Sequence, residues 1–385
     1  MSDTSLIRAF LGEGHDAWVE RMAAFASDVL SIRPAAEDDA SARAEARELL
    51  ALMGGAGVLD PIGSRDLRAC CLAREAVAAA SPLADAVWAL QGLSITPLLL
   101  AGSDELREAW APKALAGELM GGFAMTEREA GSDVGSMKTT AVRDGDGYVL
   151  NGHKWLISNA GIADYYVVFA STDPEAGSRG ISAFLVSADT DGLDFVGAQV
   201  MSAPHPLGEI EFTDCRVPAS HRIGEEGRGF KIGMATLDQL RPTVGASACG
   251  MAQRALDEAL SHAVTREQFG APLADLQIIQ DKLGRMAIDL AASRLLVYRA
   301  AYEKDRGAER ITTEAAMAKA VSTEAAQRII DEAVQILGGR GVLADSPVDL
   351  LYRSIRSLRI YEGTTEIQHL IVAGGLIAEA RKADS

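Results

Sequence analysis

The sequence TTAVRDGDGYVLN, residues 139–151, carries the clearest structural signal in the chain. Its two halves, Thr139–Arg143 and Tyr148–Asn151, are rich in strand-forming residues and flank Asp144-Gly145-Asp146-Gly147. An Asp-Gly pair between two such runs is typical of a tight β-hairpin, because Asp and Gly tolerate the positive φ that the turn requires. The stretch therefore predicts a β-hairpin in the middle of the chain.

Further strands are predicted downstream of this hairpin. Residues 165–171 and 181–187 are rich in Val, Ile and Phe and are separated by the turn-like sequence DPEAGSRG. In Glu209–Asp214 the apolar Ile210 and Phe212 alternate with polar residues, as in a strand with one buried face. Several short strands joined by turns indicate a small antiparallel barrel or sandwich.

The pattern on both sides of the β region is helical. Apolar residues recur every three to four positions in the Ala-rich stretches 17–30, 39–54, 66–80 and 83–100. Longer helices are predicted at 275–306, with Asp275 as N-cap and Gly307 at its end, and at 313–337, ending at Gly338-Gly339. The predicted fold class is α+β and mostly α. It comprises an N-terminal helical domain (1–120), a middle antiparallel β domain (121–230) and a C-terminal helical bundle (231–385).

Composition excludes several classes of function. The 385 residues include 37 Lys and Arg against 54 Asp and Glu, a formal net charge of −17 at pH 7, which disfavours a nucleic-acid-binding protein. No G-x-G-x-x-G follows a predicted strand, and the sequence has no P-loop. The four cysteines and six histidines show no metal-ligand spacing, so we expect no metal site, and we expect the cysteines to be buried as small hydrophobes.

No targeting or membrane-spanning segment is predicted. The N-terminal sequence MSDTSLIRAF does not resemble a signal peptide. The apolar stretch 86–102 is interrupted by Gln91, Ser94, Thr96 and Pro97, and we interpret it as too short and too polar to span a membrane. We therefore expect a cytoplasmic protein without a membrane partner.

Three segments contain residues that packing of a hydrophobic core alone does not explain. The first is FAMTEREAGSD (123–133) together with KWLISN (154–159). Gly131 and Ser132 would allow the backbone to approach a flat ligand, and the hydroxyls of Thr126 and Ser158 could bond ring heteroatoms. A β-edge with its turn would explain the same residues.

The second segment pairs REQFG (266–270) with QILGGRG (335–341). Arg266 could bind a pyrophosphate, and a glycine turn presents backbone N–H groups to it. A helix C-cap at Gly338-Gly339 is the alternative explanation.

The third segment is IYEGTTEIQ (360–368), in which Thr365 to Gln368 has the pattern of a capping box that opens a helix. Glu362 then lies in the preceding loop, where Gly363 leaves room for a ligand beside its carboxylate. A carboxylate in an apolar pocket could be a general base. A surface glutamate near a helix N-terminus is the alternative.

Together and in this order, these segments resemble the acyl-CoA dehydrogenase family over about residues 60–377, with the weakest similarity over the first 50. The resemblance implies a C-terminal four-helix bundle, bound FAD and a homo-oligomer, expected to be a tetramer, in which a neighbouring subunit completes the cofactor site. By resemblance, Met125, Thr126, Gly131 and Ser132 line the flavin ring, and Ser158 bonds near its N5. The resemblance also implies that Arg266 and Phe269 reach the pyrophosphate and adenine side of the cofactor, as do Gln335 and Gly339 from the neighbouring subunit. The remaining cofactor contacts that it implies are Thr364 and Glu366.

The resemblance also implies the chemistry. Glu362 matches the family's catalytic base, which abstracts the α-proton of an acyl-CoA while the β-hydride passes to flavin N5. Electrons would then pass to an electron-transferring flavoprotein. The substrate contacts implied are Ser132, Tyr361, Gly363, Asp238 at the pantetheine and Arg241 at a CoA phosphate, the last two within LDQLR (237–241).

This sequence departs from the family pattern at three places. Arg128 stands where proline is common, and Leu156 where an aromatic residue is common, with Trp155 one position earlier. The segment Met201–Gly208 has no evident function.

Three alternatives on the same fold stay open. They are an oxidase-like flavoenzyme, a dehydrogenase of carrier-protein thioesters and a non-enzymatic flavin-binding relative, the last disfavoured by the intact Glu362. The sequence does not give the length, branching or ring character of the acyl group.

Overall fold

The structure is a computed structural model that describes residues 4–383. These residues form two compact units. One contains 4–34, 66–85 and 238–383, and the other contains 35–65 and 86–237. The boundaries of these two units do not coincide with the predicted boundaries at 120 and 230. The predicted division into three domains therefore stays a prediction.

The helical elements agree closely with the periodicity of the sequence. The helices within the described residues are α1 (His15–Phe25), α2 (Asp39–Gly55), α3 (Asp60–Ser64), α4 (Leu67–Ala80), α5 (Pro82–Ala101), α6 (Asp104–Leu115), α7 (Gly229–Thr265), α8 (Gln277–Asp305), α9 (Thr312–Leu337), α10 (Pro347–Leu358) and α11 (Thr365–Ala383). A short π-helical segment, Ala26–Leu30, extends α1.

The ends of the helices follow local chemistry. Asp38 caps α2 by accepting from the Ser41 N–H at 2.8 Å, while the Ser41 hydroxyl accepts from the Asp38 N–H at 3.0 Å. The predicted cap of α8 is wrong. Asp275 lies in a preceding 3₁₀ turn, and Leu276 occupies the N-cap position without a side-chain hydrogen bond.

The strands lie where the sequence predicted β structure, apart from a small hairpin after α7. The strands of the described chain are β1 (Gly121–Ala124), β2 (Thr140–Asp144), β3 (Gly147–Ser158), β4 (Tyr165–Ser171), β5 (Ile181–Ser187), β6 (Leu193–Ala198), β7 (Leu207–Pro218), β8 (Arg222–Ile223), β9 (Glu267–Gln268) and β10 (Ala271–Pro272).

Eight of these strands form one sheet, with the order β6-β7-β3-β2-β4-β5-β8 and β1 beside β4. The predicted hairpin is confirmed, because β2 and β3 pair antiparallel with Asp144 opposite Gly147. The sheet is not wholly antiparallel, since β4 pairs in parallel with β1 and, at one position, with β2. Tyr148, Phe184 and Phe212 are buried in the core of this sheet. The cysteines at 70, 71, 215 and 249 are buried free thiols, as predicted.

Helix α5 corrects one expectation. With 20 residues it is long and apolar enough to cross a membrane by length and composition, contrary to the interpretation of its sequence as too short and too polar. However, 83% of its most apolar part is buried inside the described protein, as in a core helix. Within it, the buried Gln91 donates to the Ala114 and Leu119 carbonyls at 3.0 and 2.9 Å, and Trp88 donates to the Val58 carbonyl.

Candidate active site

The carboxylate predicted to act as a base lies in the loop between α10 and α11. Glu362 has a φ of 55° and Gly363 a φ of 94°. Glycine adopts positive φ without steric cost, whereas a glutamate held there stores about 1–3 kcal/mol of strain. The loop around Glu362 therefore requires contacts that hold it in place.

Three side chains from three helices supply those contacts. Arg241 Nε, from α7, donates to the Glu362 carbonyl oxygen at 3.0 Å, and Lys319 Nζ, from α9, donates to the Gly363 carbonyl oxygen at 2.7 Å. Gln368 Nε2, from α11, donates to both carbonyls, at 3.2 and 3.0 Å. We call Arg241, Lys319 and Gln368 the base-loop clamp.

Thr365 and Gln368 do not form the predicted capping box, because their side chains bond Glu324 and the Glu362–Gly363 carbonyls. Because α11 begins at Thr365, Thr364 occupies the N-cap position, and its Oγ1 accepts from the Ile367 N–H at 3.4 Å. Gln368 instead belongs to the clamp. A Cβ on Gly363 would lie 2.5 Å from Gln368 Nε2, so the glycine makes room for this amide rather than only for a ligand.

The Glu362 carboxylate is in an unusual environment. Its Oε2 is buried and accepts no hydrogen bond from residues 4–383. Burial raises the pKa of this carboxyl above its ordinary value, while the positive charges of Arg74, Arg241 and Lys319 act in the opposite direction. A desolvated carboxylate without hydrogen-bond donors is a stronger proton acceptor than a surface glutamate. The arrangement suits a general base and contradicts the surface-glutamate alternative.

Arg74 of α4 is a third buried cation near the base, after Arg241 and Lys319, and it is paired with an acidic side chain. Its Nε and Nη2 donate to the two carboxylate oxygens of Asp85 at 2.8 Å each, and its Nη1 donates to Thr243 at 3.0 Å. Asp85 also accepts from the Ser247 hydroxyl at 2.6 Å. Burial raises the pKa of the neighbouring Tyr361 hydroxyl, so this ring stays neutral and shapes the pocket.

Sequence reasoning missed Arg74, Lys319 and Gln368 as members of this site. The available signal was a charge inside an Ala-rich helical run, ACCLAREAVAAA for Arg74 and AAMAKAVS for Lys319. Both charged side chains are buried, and charged residues are rarely buried without a partner. Such a pattern indicates a buried charge, but it does not identify the partner.

Arg241 has a different environment from the one expected of a phosphate ligand. Its side chain is 4% exposed, and Nη1 donates to Asp238 Oδ1 at 2.9 Å. Asp238 Oδ2 accepts from the Thr312 hydroxyl at 2.6 Å. The structure therefore places Arg241 where it holds the loop of Glu362, and the phosphate contact of Arg241 and the pantetheine contact of Asp238 both stay predictions.

The residues predicted to line a flavin lie in the other unit, around β1 and β3. The Trp155 N–H donates to the Thr126 carbonyl at 2.9 Å, and Lys154 Nζ donates to the Met125 carbonyl at 3.2 Å. Lys154 is fully buried and forms an ion pair with Glu127 at 2.8 Å, and burial lowers its pKa to about 8. This buried pair fixes the segment that follows β1.

Gly131 and Ser132 lie in an exposed turn beyond this ion pair, and no atom lies within 4 Å of a Cβ built on Gly131. Ser158 ends β3, with its Oγ 2.7 Å from His205 Nε2. His205 belongs to the Met201–Gly208 segment, so that segment reaches a residue predicted to contact the flavin.

The other two departures from the family pattern have local partners. Arg128 donates to Glu209 through Nε and Nη2 and lies over the Trp155 ring, 5.4 Å from its centroid. Leu156 has a φ of 56° and is 42% exposed, and its N–H donates to Gln199 at 3.1 Å. At this irregular position of β3, the Trp155 ring lies against Arg128, and the Leu156 side chain is exposed.

The REQFG segment forms the β9–β10 hairpin. Phe269, at its tip, has a φ of 54° and is 96% exposed, and Gly270 follows with a φ of 83°. The Arg266 side chain is exposed and makes no hydrogen bond or ion pair with any described residue. An unpaired arginine beside an exposed aromatic ring is suited to bind an anionic group and a planar ring.

The two parts of the second predicted segment approach each other in this chain. Burial lowers the pKa of His262, and the positive charges of Arg340 and Arg266 lower it further. Gln335 and Gly339 are exposed at the end of α9, next to Arg340. The local excess of positive charge favours an anion, although the whole protein is acidic.

These residues fit the chemistry of FAD. A free guanidinium at Arg266 suits a pyrophosphate, and the Ser158 hydroxyl with the buried Met125 suits a heteroaromatic ring. Thr364 and Glu366 hydrogen-bond each other at the start of α11, and the Glu366 side chain is exposed.

Comparisons with known proteins agree with this geometry. The models of the acyl-CoA dehydrogenase middle and C-terminal domains match residues 122–215 and 227–377. The "Probable acyl-CoA dehydrogenase FadE25" of Mycobacterium tuberculosis is 38% identical over 95% of this chain and 96% of its own length. The human "Short-chain specific acyl-CoA dehydrogenase, mitochondrial" is 43% identical over 86% of this chain and 79% of its own length. The structure of butyryl-CoA dehydrogenase from Megasphaera elsdenii aligns with a TM-score of 0.89 at 34% identity, covering 95% of this chain and 99% of that one.

Proposed function

We propose that this chain, which belongs to the acyl-CoA dehydrogenase family, converts a short straight-chain acyl-CoA to its trans-2-enoyl-CoA with bound FAD. The membership makes the protein an oxidoreductase. The names of the human and Megasphaera elsdenii relatives support the short acyl chain.

The observation that carries the proposal is the unpartnered, buried carboxylate oxygen of Glu362. The clamp holds the backbone of this residue while its side chain remains free to accept a proton. An α-C–H next to a thioester is a weak acid, so the base must be desolvated and well positioned, and the carbonyl must be polarised as charge develops.

The backbone of Glu362 can also serve the reaction. Its N–H donates to no acceptor among the described residues. It is therefore available to bond the thioester oxygen, as the family resemblance implies, and one residue would both remove the proton and stabilise the resulting negative charge. When bound, FAD supplies the acceptor for the β-hydride.

We further propose a homo-oligomer whose reduced flavin passes electrons to an electron-transferring flavoprotein. Phe269 supports the oligomer, because a phenyl ring that is 96% exposed at a hairpin tip is typical of a contact surface. Oligomers of four chains are typical of the family.

A panel of acyl-CoAs tests the proposed function. Under anaerobic conditions we expect bleaching of the flavin absorbance by a short straight-chain acyl-CoA, with weaker bleaching by branched, cyclic and aromatic acyl-CoAs. Slow reoxidation in air and a preference for acyl-CoA over an acylated carrier protein would exclude the oxidase and carrier-protein alternatives. Absence of bleaching by every thioester would contradict the proposal.

Arg266→Gln should reduce FAD binding. Loss of one charge-assisted contact to a pyrophosphate is expected to weaken FAD about 10-fold or more. The measurement is the ratio of flavin to protein absorbance after dialysis, with Arg285→Gln as the matched control because Arg285 is an exposed arginine on α8 paired with Asp281. Equal FAD content in the two variants would exclude Arg266 from the cofactor site.

A further inference from the structure

Helix α9 has one fully buried lysine on a face that carries no other charged side chain. Lys319 has no exposed surface, and the nearby Ala315, Ala316 and Ala318 are also buried. Transfer of an ammonium group from water to such an environment is costly unless it is hydrogen-bonded or paired. An apolar side chain of similar length would fill this position without that cost, so the charge itself requires an explanation.

The hydrogen bond made by Lys319 supplies part of that explanation. Nζ donates to the Gly363 carbonyl oxygen at 2.7 Å, the shortest contact of the base-loop clamp. Of the two loop carbonyls, Arg241 bonds that of Glu362, and Gln368 bonds both at longer distances. Lys319 is therefore the charged group that fixes the second peptide of the strained loop.

We propose that Lys319 is a positioning residue for the general base: by anchoring the Gly363 carbonyl to α9 it holds Glu362 in its left-handed conformation, with its carboxylate directed at the substrate. This inference rests on the proposed function and names a residue that neither the sequence motifs nor the comparisons identify. Lys319 would act through the loop and would not touch the substrate.

The charge of Lys319 has a second consequence for Glu362. The charged and titratable groups that act on Glu362 or Lys319 are Arg74 on α4, Asp85 on α5, Arg241 on α7, Glu324 on α9 and Glu366 on α11. Burial lowers the pKa of Lys319 to about 8, and Glu362 raises it, so the lysine is mostly protonated at neutral pH. Its positive charge then favours the ionised form of Glu362, and removal of that charge should raise the pKa of the base.

Lys319→Met is the direct test, with Lys319→Arg as the charge-conserving variant. For Lys319→Met we expect full FAD content, a kcat lowered about 10- to 100-fold, and a KM changed much less, because a displaced loop misplaces the base in the transition state more than it weakens substrate binding. The acidic limb of the pH profile of kcat should move to higher pH. Lys319→Arg should keep that limb at its wild-type position, because the positive charge is retained.

Thr323→Val is the matched control on the same helix. Thr323 is also fully buried, and its hydroxyl donates to the Lys319 carbonyl oxygen at 2.8 Å within the helix. This variant removes a buried polar group from α9 without removing a contact to the base loop. It should leave both kcat and the pH profile at wild-type values.

The outcomes separate this inference from the proposed function. If Lys319→Met keeps the wild-type kcat and pH profile while Glu362→Gln is inactive, the positioning role is wrong and the proposed function stands. If Glu362→Gln is fully active, the proposed function is wrong whatever Lys319 does. If Lys319→Met does not fold, the test rests on Lys319→Arg. A displaced acidic limb in the folded Lys319→Arg variant would also show that the proposed positioning role is wrong.

Discussion

Glu362→Gln is expected to lower the rate of dehydrogenation by about 10²- to 10⁴-fold while FAD content stays at the wild-type level. Glutamine has almost the same shape as glutamate but cannot accept the α-proton. Arg241 and Gln368 bond the backbone oxygen of residue 362, so the substitution leaves these contacts and the conformation of the loop intact. The loss should therefore fall on kcat, with little change in flavin absorbance or thermal stability.

The comparison variant for this experiment is Glu379→Gln, which removes an exposed carboxylate from α11. Its steady-state kinetics should match those of the wild-type protein. Flavin bleaching by the chosen acyl-CoA, followed anaerobically in a stopped-flow instrument, isolates the chemical step. Rapid bleaching of the Glu362→Gln variant would show that another group removes the proton.

The pH dependence of the wild-type enzyme follows from the same carboxylate. Burial raises the pKa of Glu362, and the base acts only when ionised. Activity should therefore fall as the pH falls through a pKa above the ordinary glutamate value. In the unfolded chain the pKa of Glu362 has its ordinary, lower value, so folding favours the neutral form of this carboxyl. Ionisation of Glu362 as the pH rises therefore lowers the free energy of unfolding.

The sequence predicted most elements because their signals are local. The Asp-Gly turn at 144–147, the alternation in 209–214 and the helical periodicity of 39–54 each depend on neighbours within one turn or one hairpin. The same locality explains the errors. The N-cap position of α8 lies one residue after the predicted Asp275, and that of α11 lies one residue before the predicted Thr365, because a local pattern fixes a helix end only to within one or two residues.

Residues of the site were predicted only where a motif identified them. Glu362 lies in a recognisable segment, but Lys319 and Arg74 reach it from helices distant in sequence, and no local pattern encodes that proximity. Arg241 was predicted as a phosphate ligand because an arginine near a substrate segment suggests an anion. That contact stays a prediction, and the structure adds that Arg241 Nε donates to the Glu362 carbonyl oxygen, a partner that sequence alone does not reveal.

Arg74→Met is expected to lower the free energy of unfolding by about 3–5 kcal/mol, because it leaves the Asp85 carboxylate buried without its counter-ion. Arg74 and Asp85 are each 1% exposed, so solvent screens this pair little. Ser247 would still donate to Asp85, but one neutral hydroxyl does not replace two charge-assisted bonds. The loss should appear in thermal and denaturant unfolding of the FAD-loaded protein.

The double variant Arg74→Met, Asp85→Leu separates the cost of an unpaired charge from the cost of lost packing. With both charges removed, most of the stability should return, because a buried ion pair contributes little beyond a well-packed apolar pair. The acidic limb of activity should nevertheless move to higher pH in the double variant, because the lost Arg74 charge lowers the pKa of Glu362 more strongly than the lost Asp85 charge raises it. If the double variant regains stability while its acidic limb lies at higher pH, Arg74 both stabilises the fold and lowers the pKa of Glu362. A double variant as unstable as Arg74→Met would show instead that packing around the guanidinium, and not the unpaired carboxylate, causes the loss.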